Sequence, residues 1–166
     1  MFVRVNSIIF AISALLLTTA CDSQHEGDNE QTITPEMQEK VEMIRGKVKE
    51  YVDAVNTKDI ETILNQWSDQ AVYKNPFTGE LANGREGIRN EYRKILDQIN
   101  DGKVSINVKT VRFPIDEKAV EEGTATLIIP GKDPQTSDYK MIYVKEGDDW
   151  LILHVSELGF GLEENQ

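Results

Sequence analysis

The chain has 166 residues, 18 basic against 29 acidic side chains, a formal net charge of −11 and a single cysteine. That length supports one domain with a real core and is too short for two. A chain this acidic repels phosphate backbones and anionic headgroups, which argues against nucleic acid as a partner, and one thiol excludes an internal disulfide or a zinc–thiolate site.

Arg4 precedes an uncharged run over residues 5–20 that ends Leu15-Leu16-Leu17-Thr18-Thr19-Ala20, and Cys21 follows at once. A charged start, a short apolar stretch and small residues describe a secretory signal, too short for a spanning helix. A cysteine directly after small residues resembles the lipobox of bacterial lipoproteins. The resemblance implies cleavage after Ala20, acylation of Cys21, a lipid bilayer as partner and a place in the bacterial cell envelope. Asp22 resembles the retention signal of enterobacterial inner-membrane lipoproteins. The alternative is an ordinary signal peptide followed by an incidental cysteine. Residues 21–34 are polar apart from Ile33 and read as a flexible tether, with His25 lacking the second histidine a metal site needs.

The folded domain is expected over residues 35–162. Pro35 after Thr34 opens a helix whose apolar stripe runs Val41, Ile44, Val48, Tyr51, Val52, Val55. A second short helix begins near Asp59 with Ile60, Ile63, Leu64 and Trp67 on its buried side. A short strand over 71–73 ends at Pro76, and Gly79 and Asn83-Gly84 mark turns. A third helix over about 85–99 buries Ile88, Tyr92, Ile95 and Leu96.

After Gly102 the pattern is strand. Val104, Ile106 and Val108 alternate with polar residues, and the parity flips at Val111 and Phe113, which predicts a bulge near Thr110. Three more strands are expected over 124–129, 139–145 and 150–158. On the last, Leu151, Leu153 and Val155 form one face and Trp150, Ile152 and His154 the other. Helices followed by consecutive strands mean an α+β fold, its helices packed in the concave face of a curved, mostly antiparallel sheet. Apolar residues on both faces of the last strand predict a homodimer through the outer face, unless residues 158–162 cover it.

Tyr51-Val52-Asp53-Ala54-Val55, Lys58-Asp59-Ile60-Glu61, Trp67-Ser68-Asp69-Gln70-Ala71-Val72-Tyr73, Asn75-Pro76-Phe77, Gly84-Arg85-Glu86-Gly87-Ile88 and Trp150-Leu151-Ile152-Leu153-His154-Val155-Ser156 occur in this order. Their order and spacing resemble the nuclear-transport-factor-2-like superfamily, whose curved-sheet cone includes SnoaL-like cyclases and ketosteroid isomerases. In the isomerases the resemblance implies a catalytic aspartate where this chain has Asn75, a tyrosine donor at Tyr51 and a second donor near Lys140. An amide is too weak a base to take a proton from carbon, so isomerase chemistry is disfavoured. Asn75→Asp, nearly isosteric, is expected to be tolerated.

Trp67, Tyr73, Asn75, Phe77 and Tyr92, with Tyr51, are therefore candidates to line a binding cone. His154 is a candidate base or an ordinary structural histidine, oriented by Glu157 only if the strand twists. Asp69 reads as a capping or turn residue. No phosphate loop, nucleophile elbow or metal-ligand spacing is present in the sequence, and nothing implies a cofactor. The expected function is a membrane-tethered module without catalysis, which either binds a small apolar or amphipathic ligand or serves as an accessory domain that pairs with a partner in the envelope. The alternative is a SnoaL-like cyclase or isomerase that uses His154 and Tyr51 on a hydrophobic substrate.

Overall fold

The computed structural model describes residues 34–156 together with 159 and 160. The expected signal segment, Cys21, the tether before Thr34 and Glu157 lie outside the described residues. Among those described, no helix is long and apolar enough to cross a membrane.

Thr34 caps the first helix, α1 (Pro35–Thr57), by accepting the Met37 amide at 3.2 Å, with Pro35 in its first turn. The helix stops at Lys58, whose left-handed backbone (φ 60°) returns its N–H to the final carbonyls. Asp59 then caps α2 (Ile60–Asn65). Trp67 is not on that helix. It is the first residue of β1 (Trp67–Lys74), a strand longer than the sequence suggested because Ser68–Ala71 bulge away from their neighbour. A three-residue strand that the turn signals concealed, β2 (Leu81–Asn83), leads into α3 (Gly84–Ile99).

Four long strands follow: β3 (Lys103–Ile115), β4 (Lys118–Ile128), β5 (Gln135–Glu146) and β6 (Asp149–Ser156). With β1 and β2 they form one six-stranded sheet in the order β2-β1-β6-β5-β4-β3. Every neighbouring pair is antiparallel except β1 with β6. The register of β3 slips between Val108 and Thr110, where the parity flip predicted it. Asn56 fixes α1 to the sheet's edge: its side-chain amide donates to the Val104 carbonyl at 2.9 Å, and its carbonyl accepts the Val104 N–H at 2.8 Å.

A second slip was not visible in the sequence and changes which residues face inward. Tyr143 pairs with Ile152, but Ile142 pairs with His154, so Leu153 is an extra residue in β6. Directly paired residues share a face. Ile152 and Val155 therefore both point inward, with Tyr143 and Met141, while His154 turns outward beside Ile142. The strict alternation expected for this strand is corrected accordingly. The core between helices and sheet holds Ile44, Ile63, Trp67, Ile88, Leu127 and Ile152, each 2% exposed or less.

Candidate functional site

The inner face of the sheet and the flanks of α1 and α3 enclose a cavity of about 60 Å³. Its far wall is β-sheet: Val104 and Ile106 from β3, Ala125 and Leu127 from β4, Tyr139 and Met141 from β5. Its near wall is helical, with Tyr51 and Val55 of α1 and Tyr92, Ile95 and Ile99 of α3. Pro76, Phe77 and Phe160 also line it.

Among this apolar lining stands a set of tyrosines. The hydroxyls of Tyr51 and Tyr92 are hydrogen-bonded to each other. Tyr73 stacks on Tyr92 with ring centroids 5.3 Å apart, and Trp67 meets the edge of Tyr73 at 5.4 Å. Burial pushes the Tyr51 hydroxyl up to about 12 and those of Tyr73 and Tyr92 well above their ordinary value. All three stay protonated at neutral pH, as neutral donors rather than phenolates.

Four of the expected residues, Tyr51, Tyr73, Phe77 and Tyr92, line this cavity together. Trp67 stands behind them, wholly buried and packed on the tyrosines. Asn75 does not join the lining. It is 3% exposed and its side chain is spent elsewhere: Oδ1 accepts the Phe77 and Thr78 amides at 2.8 and 3.2 Å, and Nδ2 donates to Glu91 Oε2 at 2.7 Å. Lys94 donates to the other Glu91 oxygen at 2.6 Å, and these partners hold the Glu91 carboxyl below its ordinary range. Asn75 thus fastens a turn to α3 instead of facing a ligand. This geometry argues against the expectation that Asn75→Asp is tolerated, because the new carboxylate would face Glu91.

His154, turned outward by the Leu153 insertion, donates its Nδ1–H to the Val72 carbonyl at 2.9 Å and stitches β6 to β1. Lys140 lies on the outer face as well, paired with Glu122 at 3.2 Å, so it supplies no donor to the cavity. Asp69 is exposed and pairs with Arg85 at 3.1 Å. Phe160 does not cover the outer face of the sheet. Its amide donates to the Pro76 carbonyl at 3.1 Å and its ring packs against Phe77, 5.9 Å between centroids, at the cavity.

The fold agrees with one family. A SnoaL-like domain profile matches residues 48–151. The chain belongs to the SnoaL-like domain family. Solved structures share the fold of this SnoaL-like domain. A domain of unknown function with a cystatin-like fold from Nostoc punctiforme has a TM-score of 0.63 and 21% identity, over 74% of this chain and 76% of its own. An NTF-2 like protein of unknown function from Shewanella oneidensis has a TM-score of 0.61 and 19% identity, over 70% and 96%. An uncharacterized protein with a cystatin-like fold from Caulobacter vibrioides has a TM-score of 0.62 and 18% identity, over 70% and 87%. Among curated proteins, none matches the SnoaL-like domain described here.

Sequence reasoning missed four interior residues, of which Tyr139 and Met141 line the cavity. Glu121, Tyr139, Met141 and Tyr143 all face the interior. Placing the start of β4 at Thr124 left Glu121 outside any strand. Extending the alternation of Ala125 and Leu127 backwards would have put Gly123, Glu121 and Ala119 on the same buried face. Among the described residues, no group of three or more His, Cys, Asp or Glu side chains is placed to hold a metal ion.

Proposed function

We propose that this SnoaL-like domain is a binding module that holds a small apolar or amphipathic molecule in its interior cavity. The observation that carries the reading is the composition of that cavity: aliphatic and aromatic walls, with polar groups limited to tyrosine hydroxyls. Neither Asn75 nor His154 lines it, so the two side chains closest to a base role are engaged in holding the fold. A cavity of about 60 Å³ is far below the roughly 300–1,000 Å³ of sites for drug-sized ligands. The ligand is therefore small, or inserts only one slender apolar part.

The SnoaL-like enzyme reading, a cyclase or isomerase acting on a hydrophobic substrate, draws its support from the hydrogen-bonded Tyr51 and Tyr92 hydroxyls, which are neutral donors inside an apolar wall. The two readings part in one assay. The binding reading expects no isomerisation of a β,γ-unsaturated ketosteroid, followed by absorbance of the conjugated ketone; turnover would overturn it. Native mass spectrometry of the protein taken from its own membrane tests the binding reading directly. It expects a retained small apolar molecule, and a ligand-free protein that also gives no shift with small hydrocarbons refutes it.

Two further parts of the proposal concern place and assembly. The run before Cys21 supports a lipid-anchored domain at a bacterial envelope membrane, the inner one where sorting follows Asp22. On the outer sheet face, Val120 pairs with Ile142 and Val144 with Leu151; Val120 and Leu151 are already buried in the single chain, so the half-buried Ile142 and Val144 are the apolar side chains that support a homodimer there.

A further inference from the structure

Glu121 is a carboxylic acid sealed inside the cone, 0% exposed. In the β4–β5 register it lies opposite Met141, and Tyr139 and Tyr143 flank Met141 two residues away on either side of the same face. Each tyrosine reaches diagonally to one oxygen: Tyr139 donates to Oε1, and Tyr143 donates to Oε2 at 2.8 Å. The seat is shaped for this arrangement. A Cβ at Gly123 would lie 2.9 Å from the Tyr139 hydroxyl and 2.3 Å from the Asn107 carbonyl, so only glycine leaves room.

Tyr139 and Tyr143 face the Glu121 carboxyl from β5, Arg45 of α1 acts on it from a distance, and Val111 is its partner on β3. Burial raises its pKa, against the opposing pull of the two tyrosines and Arg45. An ionised Glu121 has two tyrosine protons for two oxygen–oxygen contacts. Protonation adds a third proton to the same two contacts, so one must turn away. Both tyrosines are buried, and of the two only Tyr139 lines the cavity.

The geometry points to a gated subsite: protonation of Glu121 frees the Tyr139 hydroxyl to donate into the cavity, to the acceptor atom of a small neutral ligand such as a ketone or ester. The inference rests on the proposed ligand-binding cavity and adds to it a recognition group and a control. Tyr139 is the contact residue and Glu121 the positioning residue.

The test is an NMR titration of the full chain carrying Cys21→Ser, which blocks acylation, with cyclopentanone and with cyclopentane from about pH 8 to about pH 5. The ketone is expected to tighten about five- to tenfold on acidification, the worth of one neutral hydrogen bond. The hydrocarbon should not respond to pH. Glu121→Gln keeps one tyrosine proton surplus at every pH and should bind the ketone at the acid-limit affinity throughout. Tyr139→Phe should lose the preference for ketone while keeping hydrocarbon binding. Hydrocarbon binding with a ketone affinity indifferent to pH would overturn the gate and leave the cavity reading standing. No shift at Tyr139, Met141 or Val155 with either compound would overturn both. Should Glu121→Gln fail to fold, the Glu121 carboxyl carbon of the unsubstituted residue is titrated with and without cyclopentanone. By linkage the ketone must raise its pKa, and an unchanged midpoint refutes the gate.

Discussion

Asn75→Asp exchanges one atom and turns a hydrogen bond into a collision of like charges. The backbone amides of Phe77 and Thr78 keep their acceptor, because a carboxylate oxygen replaces the amide oxygen. What is lost is the donor that reaches Glu91 at 2.7 Å. A hydrogen bond to a charged group contributes about 1.5–3 kcal/mol. Two carboxylates with charge centres about 4 Å apart repel by about 4 kcal/mol at an effective dielectric of 20, and nearby solvent and proton uptake reduce this. The expected loss at neutral pH is about 2–4 kcal/mol, roughly 10 °C in Tm for a domain of this size. The pair binds a proton more tightly when folded than when unfolded, so the penalty is present at neutral pH and shrinks as pH falls towards about 4. Urea denaturation at both pH values, with Asn75→Asp/Glu91→Gln as the control that restores a donor, measures it. A single variant as stable as the wild type at neutral pH would refute the account of Asn75 as a tie to α3.

Gly123→Ala places a methyl 2.3 Å from a backbone carbonyl that cannot swing aside, and denaturation should show a loss at the upper end of the roughly 1–3 kcal/mol range for overpacking, or more. Burial holds Glu121 above its ordinary value of 4.5, so its stabilisation is full below that value and is lost as pH rises through the folded one; the margin of wild type over Glu121→Gln in urea should shrink with rising pH. Light scattering at high micromolar concentration should report a dimer that Ile142→Lys dissociates, and a monomeric wild type would dismiss the outer-face interface. Cys21→Ser protein should leave the membrane fraction, since stable anchoring needs the acyl chains.

The apolar stripe from Val41 to Val55 and the flip at Val111 were legible because helix and bulge both leave their mark in the local period of apolar residues. The inserted residue in β6 left no such mark. Trp150, Leu151, Ile152 and Leu153 are all apolar, so a slip of one position changes nothing in the pattern while it turns His154 from the inner face to the outer. The three-residue spacing from Leu64 to Trp67 fits a helix, and only the paired strand decides otherwise. Glu121 was hidden by chemistry: two acidic residues before Gly123 carry no apolar alternation to extend the strand back from Thr124, and the tyrosines that make the burial of Glu121 tolerable come from a different strand. Four cavity residues are legible in the sequence, Tyr51 through the family resemblance, Tyr73 and Phe77 through the direction of the first strand and Tyr92 through the period of its helix, and the acid that shares their interior is not.

The single parallel pairing has a bearing on synthesis. Val72 and His154 are 82 positions apart, yet the sheet is continuous only because β6 lies between β1 and β5. A nascent chain emerging from the ribosome can build the β3–β4–β5 meander and, separately, the β1–β2 hairpin with α3, since those contacts are local in sequence. It cannot join them until the last strand has been made. Contacts of such long range form slowly, and the two halves wait with their inner faces exposed. Truncation before Asp149 should therefore abolish the cavity outright rather than shorten one wall of it, and the eight residues of β6 decide whether the earlier ones have anything to enclose.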